Sequence, residues 1–276
     1  MILSYSQIKT YQECPRQWWY KYKEKLTPIS YSRALTEGGV VHRAIEIMGK
    51  DPGGTLPYGA IQSAIQEAWQ GIDISLVTDE MRKNMKTLES TAIAMVTKYF
   101  DTEKDLGSTY IKREVPMIAR VCDDVFYQCI ADVVYVSSDN KLTYREIKTK
   151  SRITPAYLES LSISMQTCLA KQLFGFDAIE YVVIKKPEIR QRKDEDVEMF
   201  AVRLMEDVNC VVHRIETQAQ HNPDLIRCIA EWMKIPTERD ELPMHSHSCS
   251  TLTSTCPYLP LCACRQDAML LYEKRD

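Results

Sequence analysis

The 276-residue sequence has no run of about 18 apolar residues, the least that reads as a bilayer span, so a membrane-spanning helix is excluded. Its first residues, MILSYSQIKT, lack the basic flank and apolar stretch of an export leader. Secretion is not expected, and a cytoplasmic setting is. No Gly-x-x-x-x-Gly-Lys-Ser/Thr phosphate loop occurs, which rules out a self-contained ATP-driven helicase, and there is no internal repeat or low-complexity tract. The net charge of only -3 excludes a global basic field. Any contact with nucleic acid must therefore be local. Among the ten cysteines none has Cys-x-x-Cys spacing, so a self-contained zinc knuckle is not favoured. A reducing compartment also argues against disulfides, which leaves burial or metal ligation for the thiols.

What is present fits a globular chain. At 45% hydrophobic and 26% charged residues, the sequence can bury one large core, or one core with a satellite. Ser4 and Ser6 are candidate caps for QIKTYQEC, and Pro15 can open a second helical turn that continues through RQWWYKYKEKL. VVHRAIEIM after Gly38-Gly39 has helical spacing, as does Thr78 to about Lys104 with Met81, Met85, Leu88, Ala92 and Met95. From about Tyr110 the pattern turns to β. TYIKREVPMIARV, VFYQCIADVVYV and KLTYREIKTK read as three neighbouring strands, the last two joined by a turn at Asp139-Asn140. A helix over Thr154–Phe174, a strand AIEYVVIKK and a strand near Glu198–Met205 follow, giving the order αβββαβ. Glu206–Trp232 has helical spacing through Val208, Val211, Val212, Ile215, Leu225, Ile229 and Trp232.

Asp132 stands in an apolar strand among Ile130, Ala131, Val133 and Val134, where an unpaired carboxylate is costly. Glu146 and Lys148 lie two apart on the next strand and share a face. The hairpin can bring Asp132 beside Glu146. Two neighbouring carboxylates repel, and a divalent cation relieves that repulsion; oxygen ligands favour magnesium or manganese. Lys148 can stabilise charge developing on a phosphate. Each residue alone also reads blandly, Asp132 as an ion-paired strand end and Glu146 and Lys148 as a solvated face. Together they are the parts of a phosphodiester hydrolase. Two local patches could guide DNA: Arg16, Lys21, Lys23 and Lys25 interleaved with Trp18, Trp19, Tyr20 and Tyr22, and the trio Lys148, Lys150 and Arg152. Solvated surface lysines are the alternative reading of both.

CIADVVYV…YREIKTK resembles the GxxD…ExK core of the PD-(D/E)XK nucleases, and most of all their RecB-like branch, which includes CRISPR-adaptation nucleases and phage recombination exonucleases. That branch adds Gly-x-x-x-His upstream, matched by Gly38 to His42. The resemblance implies that His42, Asp132 and Glu146 hold a metal. It places Lys148 and Gln166 with Asp132 and Glu146 in the catalytic group. Glu46, one helical turn beyond His42, shares its face and reads as a support of the site or as a structural residue. The chain departs from the branch at Ala170, where Gln-x-x-x-Tyr has its tyrosine, and at Ile130, where glycine is usual. The late segment CSTLTSTCPYLPLCAC and the early Cys14 resemble the iron-sulfur members of the branch. This implies a 4Fe-4S cluster on Cys14, Cys249, Cys256 and Cys262, with zinc as the alternative and Cys264 as a spare. Cys122, Cys129, Cys168, Cys210 and Cys228 fall at apolar positions and read as core packing.

The resemblance implies an α/β, restriction-endonuclease-like fold. Its mixed central sheet would be flanked by helices, with a helical insertion and a cysteine-rich C-terminal cap. Within one nuclease domain, residues 1–105 would be a largely helical part carrying His42, 106–205 the catalytic core, and 206–276 a helical, cysteine-rich cap joined to Cys14 by the cluster. The implied activity is Mg2+- or Mn2+-dependent DNA hydrolysis, as an exonuclease on single-stranded ends in bacterial or phage recombination or repair. DNA contacts would come from Arg16, Trp19, Tyr20, Lys21 and Lys150, and a recombination or helicase protein is a further partner. A structure-selective endonuclease using the same site, and a non-catalytic DNA-binding or assembly module, are the other readings.

Overall fold

The computed structural model describes residues 1–28, 33–50, 57–69, 79–103, 110–215, 224–235, 238–250 and 255–274. In chain order the elements begin with β1 (Ile2–Ser4), α1 (Tyr5–Glu13), α2 (Pro15–Trp18), a π-helical turn at Trp19–Lys23, and β2 (Leu26–Pro28). Next come α3 (Arg33–Lys50), α4 (Pro57–Trp69), α5 (Asp79–Asp101), β3 (Tyr110–Cys122), β4 (Val125–Val136) and β5 (Leu142–Lys150). The chain continues with α6 (Pro155–Leu161), α7 (Met165–Phe174), β6 (Ala178–Lys185), α8 (Val197–Asp207), β7 (Cys210–Ile215), α9 (Asp224–Lys234), α10 (Leu259–Cys262) and β8 (Tyr272–Lys274). None of the described helices is long and apolar enough to cross a membrane.

These elements form two compact units. One consists of Met1–Tyr31, Met117–Cys129 and His221–Asp276, and the other of Ser32–Pro116 and Ile130–Gln220. In the second unit β5 is a central strand, antiparallel to β4 and parallel to β6, and β7 closes the edge antiparallel to β6. The sheet is mixed and flanked by helices. One face of it packs Val133, Tyr135, Ile147, Val182 and Ile184 against Val41 and Ile45 of α3, Leu88, Met95 and Tyr99 of α5, and Phe200 and Leu204 of α8. Burial on both faces explains why β5 reads TYREI without the polar-apolar alternation of a half-exposed strand. The β4–β5 turn falls at Asp139-Asn140, with Asn140 at φ 59, a left-handed conformation that asparagine tolerates well.

The first unit is built from both ends of the sequence. Ser4 caps α1 through Gln7 N, Pro15 opens α2, and β1 lies parallel to β4 with Ile2 beside Phe126 and Ser4 beside Gln128. Strands β2 and β8 pair antiparallel. Tyr20, Leu26, Tyr258 and Tyr272 form a buried cluster there, with stacked rings 5.8 Å apart for Tyr20–Tyr258 and 5.6 Å for Tyr258–Tyr272.

Four sequence expectations are corrected. The segment near Glu198–Met205 is helix α8 rather than a strand: Phe200, Ala201, Leu204 and Val208 are buried at helical spacing, and Asp196 accepts from Met199 N at 2.8 Å as the N-cap. Cys210–Ile215, expected to be helical, is strand β7, because pairing with β6 satisfies its backbone and leaves Val212 45% exposed. Thr154–Phe174 is two helices, broken at Ser162–Ser164. The chain opens with a short strand before its first helix. The side chains of Met81, Met85, Ile215 and Leu225 lie outside the described residues. Of the five thiols expected in the core, Cys168 is buried and Cys122, Cys129, Cys210 and Cys228 are half-buried.

Candidate active site

The β4–β5 register runs from Val136 opposite Leu142 to Val133 opposite Arg145. One residue beyond, the Ile147 amide donates to Asp132 Oδ2 at 2.7 Å. A carboxylate takes the amide in place of a strand carbonyl, and this anchors the Asp132 side chain. Glu146 and Lys148 flank the buried Ile147 and so project from the opposite face of β5. Glu146 is 2% exposed. Its Oε2 accepts from the Tyr144 hydroxyl, and its Oε1 accepts from Lys148 Nζ and, at 2.9 Å, from Gln166 Nε2 in the first turn of α7. Lys148 Nζ also donates to Gln166 Oε1 at 3.3 Å. Gln166 thus bridges the acid and the amine and holds both in one geometry.

Helix α3 delivers His42, whose Nδ1 lies 3.7 Å from Asp132 Oδ1. A third donor comes from β3. Ligand atoms of His42, Glu114 and Asp132 all lie within 4.8 Å of one another, a group able to hold a metal ion. Glu114 adopts φ 47, a left-handed conformation uncommon for a residue with a side chain inside a strand. Its neighbour Arg113 is fixed by an ion pair to Glu103 and by stacking over Phe100, 5.6 Å from the ring centroid. The Arg113 side chain also fills the space in front of Gly49 on α3. Alternation alone did not single out Glu114; the adjacent charges Arg113-Glu114, which break the strand pattern, were the available signal.

The charges are strongly coupled. Burial, then the Asp132 charge, raise the Glu146 carboxyl above its ordinary value, against the pull of Lys148. Burial disfavours the Lys148 ammonium, but Glu146 and Asp132 outweigh it and raise the lysine pKa. His42 is likewise raised: burial opposes its charge, while the hydrogen bond and charge of Asp132 favour it. Glu114 is pushed up to about 7 by burial, then by Asp132 and Glu46. The pocket is overloaded with carboxylates, the setting that a divalent cation neutralises. Hard oxygens with one imidazole suit magnesium or manganese, so the donor set fits such an ion.

The structure therefore brings His42, Asp132, Glu146, Lys148 and Gln166 together. Glu46 is tied to Arg43 and Lys50 on its own helix. Lys150 ends β5 as an exposed cation, with its ammonium 5.0 Å from the Tyr157 ring centroid.

In the other unit, Tyr20 is 1% exposed. The expectation that it stacks bases is corrected, because its ring is consumed by the Tyr258 stack and burial pushes its hydroxyl up to about 12. Arg16 donates to the Leu242 carbonyl at 2.9 and 3.2 Å and pairs with Asp240 at 3.7 Å. Trp19 Nε1 donates to Glu24 at 2.9 Å, and Lys21 is exposed. Cys14, Cys249, Cys256 and Cys262 all belong to this unit. Burial raises the Cys256 and Cys262 thiols, and each is raised further by Cys14 and Cys249. Among the described residues, no three of these sulfurs lie within 4.8 Å of one another. Cys264 is exposed.

The family model of the PD-(D/E)XK nuclease superfamily matches residues 2–263. No curated protein matches the sequence. Among solved structures, the crystal structure of SSO0001 aligns with 96% of this chain and 87% of its own, at 11% identity and a TM-score of 0.43.

Proposed function

This chain belongs to the PD-(D/E)XK nuclease superfamily, and we propose that it hydrolyses DNA phosphodiester bonds with a magnesium or manganese ion held by His42, Asp132 and Glu146. The observation that carries this reading is the hydrogen-bonded group of Glu146 and Lys148, on the strand next to that of Asp132, with Gln166 of α7; Asp132 accepts from the Ile147 amide and lies beside His42. When bound, the ion supplies Lewis acidity toward a phosphoryl oxygen. Lys148 is the cation that meets negative charge developing on the phosphate. Gln166 and Glu146 hold the Lys148 ammonium in place, so little reorganisation is needed as that charge grows. The exposed Lys150 extends the positive charge along the same strand toward a DNA backbone.

The activity we favour is exonucleolytic attack on single-stranded ends in recombination or repair, on the strength of the resemblance to RecB-like stand-alone exonucleases. The same resemblance supports a 4Fe-4S cluster on Cys14, Cys249, Cys256 and Cys262. The influence of Cys14 and Cys249 on the Cys256 and Cys262 thiols supports a group shared by the four residues.

Incubating anaerobically purified protein and Mn2+ with linear and with circular single-stranded DNA tests the activity. An exonuclease degrades the linear strand and spares the circle. Cutting of both at equal rates replaces the exonuclease with an endonuclease at the same site.

A further inference from the structure

We infer that Glu114 is a direct ligand of the divalent cation, completing a His42–Glu114–Asp132 tripod beside the acid and lysine of β5. The inference rests on the nuclease reading above and deepens it by assigning a ligand outside the Asp…Glu-x-Lys pattern. Its first support is geometric. Of the described residues, these three form the group whose donor atoms converge within 4.8 Å, and Glu146 is not part of it. Glu114 thus adds a donor to the ligands proposed above and does not replace Glu146, whose carboxylate is oriented by Tyr144, Lys148 and Gln166.

The second support is the charge balance. Asp132, Glu114 and Glu146 share the pocket with Lys148 and His42, and Lys148 is held by Glu146. Among the described residues no cationic side chain forms an ion pair with Glu114, and Glu46, whose field reaches it, is neutralised by Arg43 and Lys50. Neighbouring carboxylates in this state call for a counter-ion.

The third support is the backbone. A glutamate at φ 47 within a strand is strained, and such strain persists only where the surroundings impose it. The surroundings do so through Arg113, which is lodged in front of Gly49 and paired to Glu103. Helix α3 thus carries His42 and also the surface that sets the backbone beside Glu114.

The test is calorimetric titration of Mn2+ into wild-type protein and into Glu114→Gln, Glu114→Asp and Asp132→Asn, each checked for folding by circular dichroism. Loss of a ligand is expected to weaken Mn2+ binding by at least about tenfold in Glu114→Gln, with partial recovery in Glu114→Asp. Unchanged affinity in a folded Glu114→Gln, alongside weakened binding in Asp132→Asn, overturns the assignment and leaves the metal-site reading standing. Unchanged affinity in both variants overturns the two together. Independently of any variant, anomalous scattering from Mn2+ in wild-type crystals should place the ion within bonding distance of the Glu114 carboxylate. An ion bound by Asp132 with Glu114 out of reach overturns the inference.

Discussion

At the scale of single residues, the site is a set of acids kept in place against their own repulsion. Glu114 has the clearest consequence for pH. Its carboxyl is raised from 4.5 to about 7 in the folded protein, so between those values the native state binds more protons than the unfolded chain. Stability of the metal-free protein therefore falls as pH rises through that window, and the full penalty stands above about pH 7. Glu114→Gln should remove this part of the slope, so that the metal-free variant gains on wild type from pH 4.5 to 7 in chemical denaturation; parallel pH profiles would contradict it. Asp132, Glu146 and Lys148 were legible in the sequence because a charge in an apolar strand is costly and residues two apart share a face. His42 and Gln166 became legible only with the family pattern. Glu114 was not, because its role depends on a left-handed backbone and on Arg113 packing against Gly49, neither of which a periodicity carries.

At the scale of elements, α3 and β3 meet where Arg113 lies over Gly49, and the sign of a substitution there can be worked out. Gly49→Ala gains roughly 1 kcal/mol of helix propensity, but the added methyl overlaps an arginine held by Glu103 and Phe100. Overpacking of this kind costs about 1–3 kcal/mol. The clash should win, with a lower Tm and weaker Mn2+ binding; a higher Tm would show that Arg113 swings aside freely. Helices α3 and α5 and strands β3 to β6 were read correctly because each carries a long or alternating pattern. Helix α8 and strand β7 were exchanged for physical reasons. The near-continuous apolar run from Met199 to Met205 suits a buried strand as well as a helix, and only the Asp196 cap and packing on α5 decide it. The spacing of Val208, Val211 and Val212 fits a helix, but pairing to β6 prevails in β7.

At the scale of the whole molecule, one compact unit is drawn from both ends of the sequence, and the four proposed cluster ligands all lie in it. Tying Cys14 to Cys249, Cys256 and Cys262 closes long stretches of chain, so ligand binding contributes directly to folding. Cys14→Ser is expected to lose bound iron and sulfide and to lower the Tm of the anaerobically prepared protein; full iron content at an unchanged Tm would remove Cys14 from the ligand set. The central claim is metal-dependent phosphodiester hydrolysis at the β4–β5 site. Its most direct test is cleavage of end-labelled DNA in Mn2+, with and without chelator, by wild type and by folded Asp132→Ala and Glu146→Ala. The account predicts cleavage by wild type that stops with chelator and falls by several orders of magnitude in both variants. Undiminished cleavage by the variants, or none by the cluster-replete wild type, would contradict it.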